Sequence, residues 1–221
     1  ENILGESPYK SPTDMGVNMA GNCIIDDDAV CKAAKDEIIR RYYVGLCDKR
    51  KGLISGDEET KLALLMKQAN VTPDNRRTIA AALAKEAETG APAAAMELPD
   101  GTILTGRTSE LLGAVSGLLL NALKHFAGLD DNILLMSPNV IEPIMDLKVN
   151  HLGNNNPRIH TDETLLALSI CATTDENAKK AMEQISKLRG CEVHSTVILS
   201  AVDERIFKRL GINLTCEPKY N

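Results

Sequence analysis

Apolar side chains recur at four-residue spacing through Val30, Ala34, Ile38, Tyr42 and Leu46, and the series runs into the basic stretch Lys49, Arg50, Lys51. Asp26, Asp27 and Asp28 place negative charge where a helix over this series would begin, so an amphipathic helix is predicted. A second helix is predicted from about Asp57 to Ala69. A third runs from Thr72 as cap, with Pro73 in its first turn, to near Gly90. The pattern then changes. In APAAAMELPDGTILTG two short strands, near 94–98 and 102–105, flank the turn Pro99-Asp100-Gly101. Leu111 to Ala127 is apolar on nearly every side, and Gly113, Ala114, Ser116 and Gly117 allow close backbone approach, so a buried helix is expected. ILLM at 133–136 reads as a buried strand, and 140–149 as a helix following Ser137-Pro138. Strand 164–173, helix 175–189, strand 192–199, helix 202–210 and strand 212–216 complete the alternation. The fold class predicted is α/β: an N-terminal helical segment followed by a layered α/β domain with a mixed, mostly parallel sheet. Residues 1–92 would hold an extended arm, rich in Pro, Gly, Ser and Asn up to residue 22, plus the helical region. Residues 93–221 would hold the α/β domain.

Composition narrows the function classes. The 221 residues, 43% of them hydrophobic, suffice for real cores without covalent staples. A net charge of -6 repels a phosphate backbone, and two Phe, four Tyr and no Trp leave little to stack on bases, so no nucleic-acid partner is expected. The longest apolar run, LLGAVSGLLLNAL, is too short and too interrupted to span a bilayer, and no signal peptide is seen, so no membrane partner is expected. Six cysteines show no C-x-x-C pair. Several sit among apolar neighbours, as reduced thiols of a cytoplasmic protein do. The chain opens at ENILGESPYK, already loop-like, and is expected to be a piece of a longer polypeptide.

Candidate chemistry gathers in three places. In LTGRTSELL, between a strand and the buried helix, unpaired backbone N–H groups and a positive dipole end would hold a phosphate or carboxylate. Gly106 would allow close approach, Arg107 would supply charge, and Thr108 and Ser109 hydroxyls. Simple capping by Thr108 or Ser109 is the alternative, and it leaves Arg107 unexplained. The spacing is not that of a Walker loop. Because ligands of open α/β sheets bind beyond the carboxyl ends of strands, this junction is expected to share one rim with the turns carrying Ser137 and Asn139, Thr173 to Glu176, and Ser200, Asp203 and Glu204.

The second place is HLGNNNPRIHTDE, residues 151–163. Asn154, Asn155 and Asn156 could simply form turns before Pro157. Alternatively, Arg158 and the asparagine amides clamp a polar ligand while His160 or Asp162 moves a proton, as catalytic groups oriented by one another. A metal site from His151, His160 and Asp162 matches no familiar ligand spacing, and no metal is assigned. The third place is the N-terminal arm, where Lys10, Ser11, Thr13 and Asp14 lie in a loop suited to docking either a ligand or a neighbouring domain.

The stretches SPYKSPTDMGVNMAGNCIIDD, EIIRRYY, PDGTILTGRTSELLGA, LNALKHFAGL and NNNPRIHTDETL resemble the carboxyl half of a bacterial family, the domain of unknown function 1846 family (uncharacterised protein family 0371). The resemblance covers essentially the whole chain. It implies an amino half with a glycine-rich phosphate loop, hence ATP as cofactor with Mg bound mainly there. It brings no established reaction and no catalytic residue. A protease label carried by some members finds no H-E-x-x-H motif here, and no serine, histidine and acid set that spacing singles out. Two expectations follow. One is a nucleotide-dependent enzyme, for phosphoryl or other group transfer, to which this chain contributes an anion site for a small phosphorylated or nucleotide ligand. The other is a non-catalytic module whose helices and polar loop assemble a homo-oligomer.

Overall fold

The protein is described by a computed structural model over residues 26–220. The chain divides between Arg76 and Arg77 into two compact units. In the first, helix α1 (Asp27–Arg50) is capped by Asp26, whose carboxylate accepts from the Ala29 amide at 2.8 Å, and it ends in Lys49 and Arg50. Helix α2 (Gly56–Gln68) packs against it. The buried spine of α1 is Ile39, Tyr43 and Cys47, one residue on from the expected Ile38, Tyr42 and Leu46. Both series are apolar. Gly45, on a different side of the helix from Tyr43 and Cys47, lies under Leu62 of α2.

The third predicted helix is broken. Pro73–Asn75 form a single 3-10 turn, Arg76 is extended, and helix α3 (Arg77–Thr89) begins in the second unit. That helix packs on strands β1 (Ala93–Glu97) and β2 (Ile103–Arg107), so the second unit starts at Arg77 rather than at 93. Helices α4 (Ala114–Phe126), α5 (Pro138–Asp146), α6 (Thr161–Cys171) and α7 (Glu176–Met182) follow, then β3 (Glu192–Ser195), α8 (Ala201–Leu210) and β4 (Asn213–Cys216).

The sheet is mixed, with order β2-β1-β3-β4. It is not mostly parallel: β1 is antiparallel to both β2 and β3, and only β3 and β4 run together. Two of the expected strands are absent. Residues 133–136 bury adjacent Leu135 and Met136 while Leu134 stays exposed, which is not the alternation a strand requires. Residues 164–171 lie instead in α6, whose buried positions Thr161, Thr164, Ala167 and Leu168 follow helical spacing. The stretch 175–189 shortens to α7 and a 3-10 turn, Ile185–Leu188.

Strand directions still define a common rim. Because β2 and β3 are each antiparallel to β1, and β4 is parallel to β3, the carboxyl ends of β2, β3 and β4 point the same way. One sheet face, with Ala94, Met96 and Val193, packs into the main core beside Leu118, Leu119 and Leu123 of α4. Ala93, Ala95 and His194 alternate to the other face and are fully buried.

Helix α4 sits almost on the backbone of β2. A Cβ at Gly106 would lie 2.6 Å from the Leu118 amide nitrogen and 2.7 Å from the Ala114 carbonyl oxygen. Helix backbone cannot yield as a side-chain tip can. Gly106→Ala should therefore destabilise the protein by about 1–3 kcal/mol, the usual cost of overpacking. Denaturant unfolding checks this, and an unchanged midpoint would mean that α4 is free to shift.

Candidate functional site

At the rim, side chains at consecutive positions of β2's end part company. Gly106 lies under α4, exposed Arg107 lines one cleft beside that helix, and Thr108 lines a different one. The second of these, about 170 Å³, collects Thr108, the first turn of α4 from Gly113 to Ser116, Asn156, Arg158 to His160, and Val197 to Ser200 with Asp203. The expected grouping of Gly106, Arg107, Thr108 and Ser109 is thus divided. Gly106 serves helix packing, and Arg107 is outside this cleft. The Ser109 hydroxyl accepts from the Leu112 amide at 3.0 Å, closing its own turn, because α4 starts only at Ala114 with Gly113 as cap.

The loop 156–160 is stitched across this opening. Arg158 Nε donates to the Ser109 carbonyl at 2.7 Å, and Ile159 pairs with Leu112 as an isolated parallel bridge. The Ser116 hydroxyl donates to the Ile159 carbonyl at 3.3 Å. Lys148, only 3% exposed, secures the loop from behind, donating to the Arg158 carbonyl at 2.6 Å and to Glu163 at 2.8 Å. The same Glu163 oxygen accepts the His160 amide at 2.7 Å. Nε is the only guanidinium nitrogen of Arg158 with a hydrogen bond among the described residues. Its terminal nitrogens remain available at the cleft.

Asp203 organises the chemistry. One carboxylate oxygen accepts from the Thr161 amide at 2.9 Å and the Thr161 hydroxyl at 2.8 Å; the other accepts from the Ser200 hydroxyl at 2.7 Å and faces His160 Nδ1 at 3.1 Å. Burial pushes this carboxyl up, but the bonds from His160, the Thr161 backbone, Ser200 and the Thr161 hydroxyl prevail and hold it at about 2. Conversely, the bond to Asp203 raises the His160 pKa from its ordinary 6.5, against burial and the nearby Lys148 charge. An ionised Asp203 makes Nδ1 the protonated nitrogen, so Nε2 is left to exchange a proton, and it has no partner among the described residues.

Ser200, His160 and Asp203 therefore meet, which spacing alone had not singled out. They are not a serine-protease relay. The hydroxyl lies 3.5 Å from Nδ1, the nitrogen Asp203 already occupies, and it also caps α8 by accepting from the Asp203 amide at 3.2 Å. What results is a carboxylate-oriented imidazole at a cleft bounded by the N-terminal turns of α4, α6 and α8.

Of the other expected residues, Asn156 lines the cleft, and its side-chain oxygen accepts the Arg158 amide at 3.2 Å. Asn154 and Asn155 are exposed and outside it. Asp162 does not orient His160: its carboxylate accepts the Glu163 amide at 2.9 Å in the first turn of α6. Exposed His151 approaches Asp146 at 3.9 Å instead. Ser137, Asn139 and Thr173 to Glu176 follow no strand and do not line this cleft. Lys10, Ser11, Thr13 and Asp14 lie outside the described residues. Sequence reasoning missed Lys148, the start of α4 only at Ala114 and the pairing of Asp203 with His160. The capping pattern Ser200-x-x-Asp203 was the one available signal for the last.

No helix among the described residues is long and apolar enough to cross a membrane. Two family models match in succession: "Domain of unknown function DUF1846, N-terminal" over residues 1–70 and "Domain of unknown function DUF1846, C-terminal" over residues 74–221. Their junction falls beside the boundary between the two compact units. Among similar proteins, the UPF0371 protein cu0538 of Corynebacterium urealyticum is 54% identical over 220 residues, and UPF0371 protein DIP2346 of Corynebacterium diphtheriae is 52% identical. UPF0371 protein stu1377 of Streptococcus thermophilus is 49% identical. Each alignment covers 100% of this chain but 44% of the relative, so the chain spans less than half the length of these proteins. With both models matching in order and together covering nearly every residue, this chain belongs to the DUF1846 (UPF0371) family.

Proposed function

We propose that this chain contributes the anion-binding and proton-transferring part of a cytoplasmic, nucleotide-dependent enzyme, with phosphoryl or other group transfer as its chemistry. The observation that carries this reading is the His160 imidazole, oriented by Asp203 and sharing a cleft with Arg158 and the first turn of α4. Phosphoryl transfer depends on positioning and positive charge, which guanidinium nitrogens and unpaired helix N–H groups provide. A positioned imidazole adds proton transfer to or from the attacking or leaving oxygen. A bound nucleotide would supply the transferable group. The contacts proposed for this chain are to anionic oxygens.

A second reading is assembly. Leu166 and Ile170, one turn apart on α6, are 65% and 63% exposed, and Leu152 in the polar loop is 67% exposed. Such residues support a subunit contact in a homo-oligomer. Leu166→Lys combined with Ile170→Lys should then lower the mass found by sedimentation, and an unchanged mass would dismiss this contact.

For the first reading, Arg158→Ala and His160→Ala should each weaken binding of inorganic phosphate or ATP to the intact polypeptide at least tenfold, measured by calorimetry. Arg107→Ala, outside the cleft, should leave it within about twofold. Full affinity in both cleft variants would remove the proposal.

The raised His160 pKa keeps the imidazolium populated above pH 6.5, so anion affinity should be highest at lower pH and fall as pH rises through the raised value. Stability follows the same sign: the His160 contribution is complete below its unfolded pKa and is lost as pH rises through its folded one. The Asp203 contribution is present above its ordinary 3.8 and is lost as pH falls through about 2. In an NMR titration, His160 should protonate above 6.5 and Asp203→Asn should bring its midpoint down. No change in that variant would show that Asp203 does not set the imidazole's charge.

A further inference from the structure

We infer that a second ligand site lies on the Arg107 side of β2, and that it takes a small apolar carboxylate, its chain held in a hydrophobic cleft and its head between Lys124 and Arg107. The cleft measures about 280 Å³, at the lower end of small-molecule pockets, which run to about 1,000 Å³. One wall is a single stripe of α4, Gly117, Leu120, Asn121 and Lys124, three and four residues apart. The facing wall is the irregular segment with Ile133, Leu135 and Met136.

Two observations identify the ligand's charge. Lys124 is only 8% exposed, and its ammonium meets a backbone carbonyl, that of Asp131, at 2.7 Å. A carbonyl satisfies one of three donors and none of the charge. The C-terminal end of α4 offsets part of that charge, but an ammonium removed from water is stabilised far better by an acid. The second observation is that no Asp or Glu lines the cleft, while Arg107 does, and its guanidinium has no ion pair among the described residues. Two cations and apolar walls without an acid make a receptor for an anion on a hydrocarbon body. The segment 133–136, strand-like in composition yet folded as a wall, gives the chain its contact surface.

Decanoate tests this directly. Calorimetry on the 221-residue chain should show one molecule bound per chain, 1-decanol should bind at least fivefold more weakly, and Arg107→Ala should weaken decanoate at least fivefold. Lys124→Met should do the same where it folds. Arg107 is exposed, so its variant is the deciding one. His160→Ala should leave decanoate binding unaltered, which separates this site from the imidazole cleft. Absence of decanoate binding, decanol binding within fivefold, or a smaller loss in Arg107→Ala overturns the inference.

Discussion

The Asp203 carboxylate is the constraint on which the rest of the second unit's rim depends. It is buried, it is ionised, and its two oxygens accept from an amide, two hydroxyls and an imidazole contributed by the starts of two helices. An unsatisfied buried carboxylate would be expelled or protonated, so each donor is held in place by the same free energy that keeps the charge inside. That joins the N-terminus of α6 to that of α8 across 40 residues of chain. The pairing then fixes the imidazole tautomer as a by-product of packing. Lys148 performs a related task one layer back: its ammonium bonds the carbonyl of Arg158 and the carboxylate that holds the His160 amide. Loop and helix start are locked together by two buried charges of opposite sign.

A second constraint is the single glycine at the end of β2. Since Gly106 lets α4 rest on strand backbone, the helix divides the rim into two openings, with Arg107 lining one and Thr108 the other. A larger residue at 106 would lift the helix and merge or collapse both. The division also explains why a motif that looks continuous in sequence, Gly-Arg-Thr-Ser, belongs to no single site. Its members alternate sides of a strand, then enter a turn that closes on itself.

Much of the fold was legible because its signals are local. The acidic start and basic end of α1, the Pro-Asp-Gly hairpin, the small-residue face of α4 and the Ser200 cap of α8 each act within a few residues. What failed was governed by partners distant in sequence. Residues 133–136 have strand composition, but no neighbouring strand stands beside them, and they pack as a wall against α4. Residues 164–173 carry an apolar run typical of a strand, while the helix is set by Glu163 reaching back to the His160 amide at its start. The candidate site divides similarly. His160, Arg158 and Asn156 were visible as an unusual polar cluster. Their acid could not be, since Asp162 is adjacent in sequence but points into its own helix turn, and Asp203 arrives only through the sheet crossover.

Charge ties these features together. The chain is acidic overall at -6, which disfavours long polyanions approaching any face. Local positive potential at the imidazole cleft therefore has to come from few sources: one guanidinium, an imidazole whose protonated form its carboxylate partner favours, and backbone N–H groups at helix starts. Backbone dipoles act over a turn or so and carry no net charge, so they favour a small anion seated among them over an extended one lying across the surface. A chain built this way combines a net negative charge with a defined place for a single phosphate or carboxylate. That combination is what the proposed small-ligand chemistry requires, and a surplus of surface lysine would not have provided it.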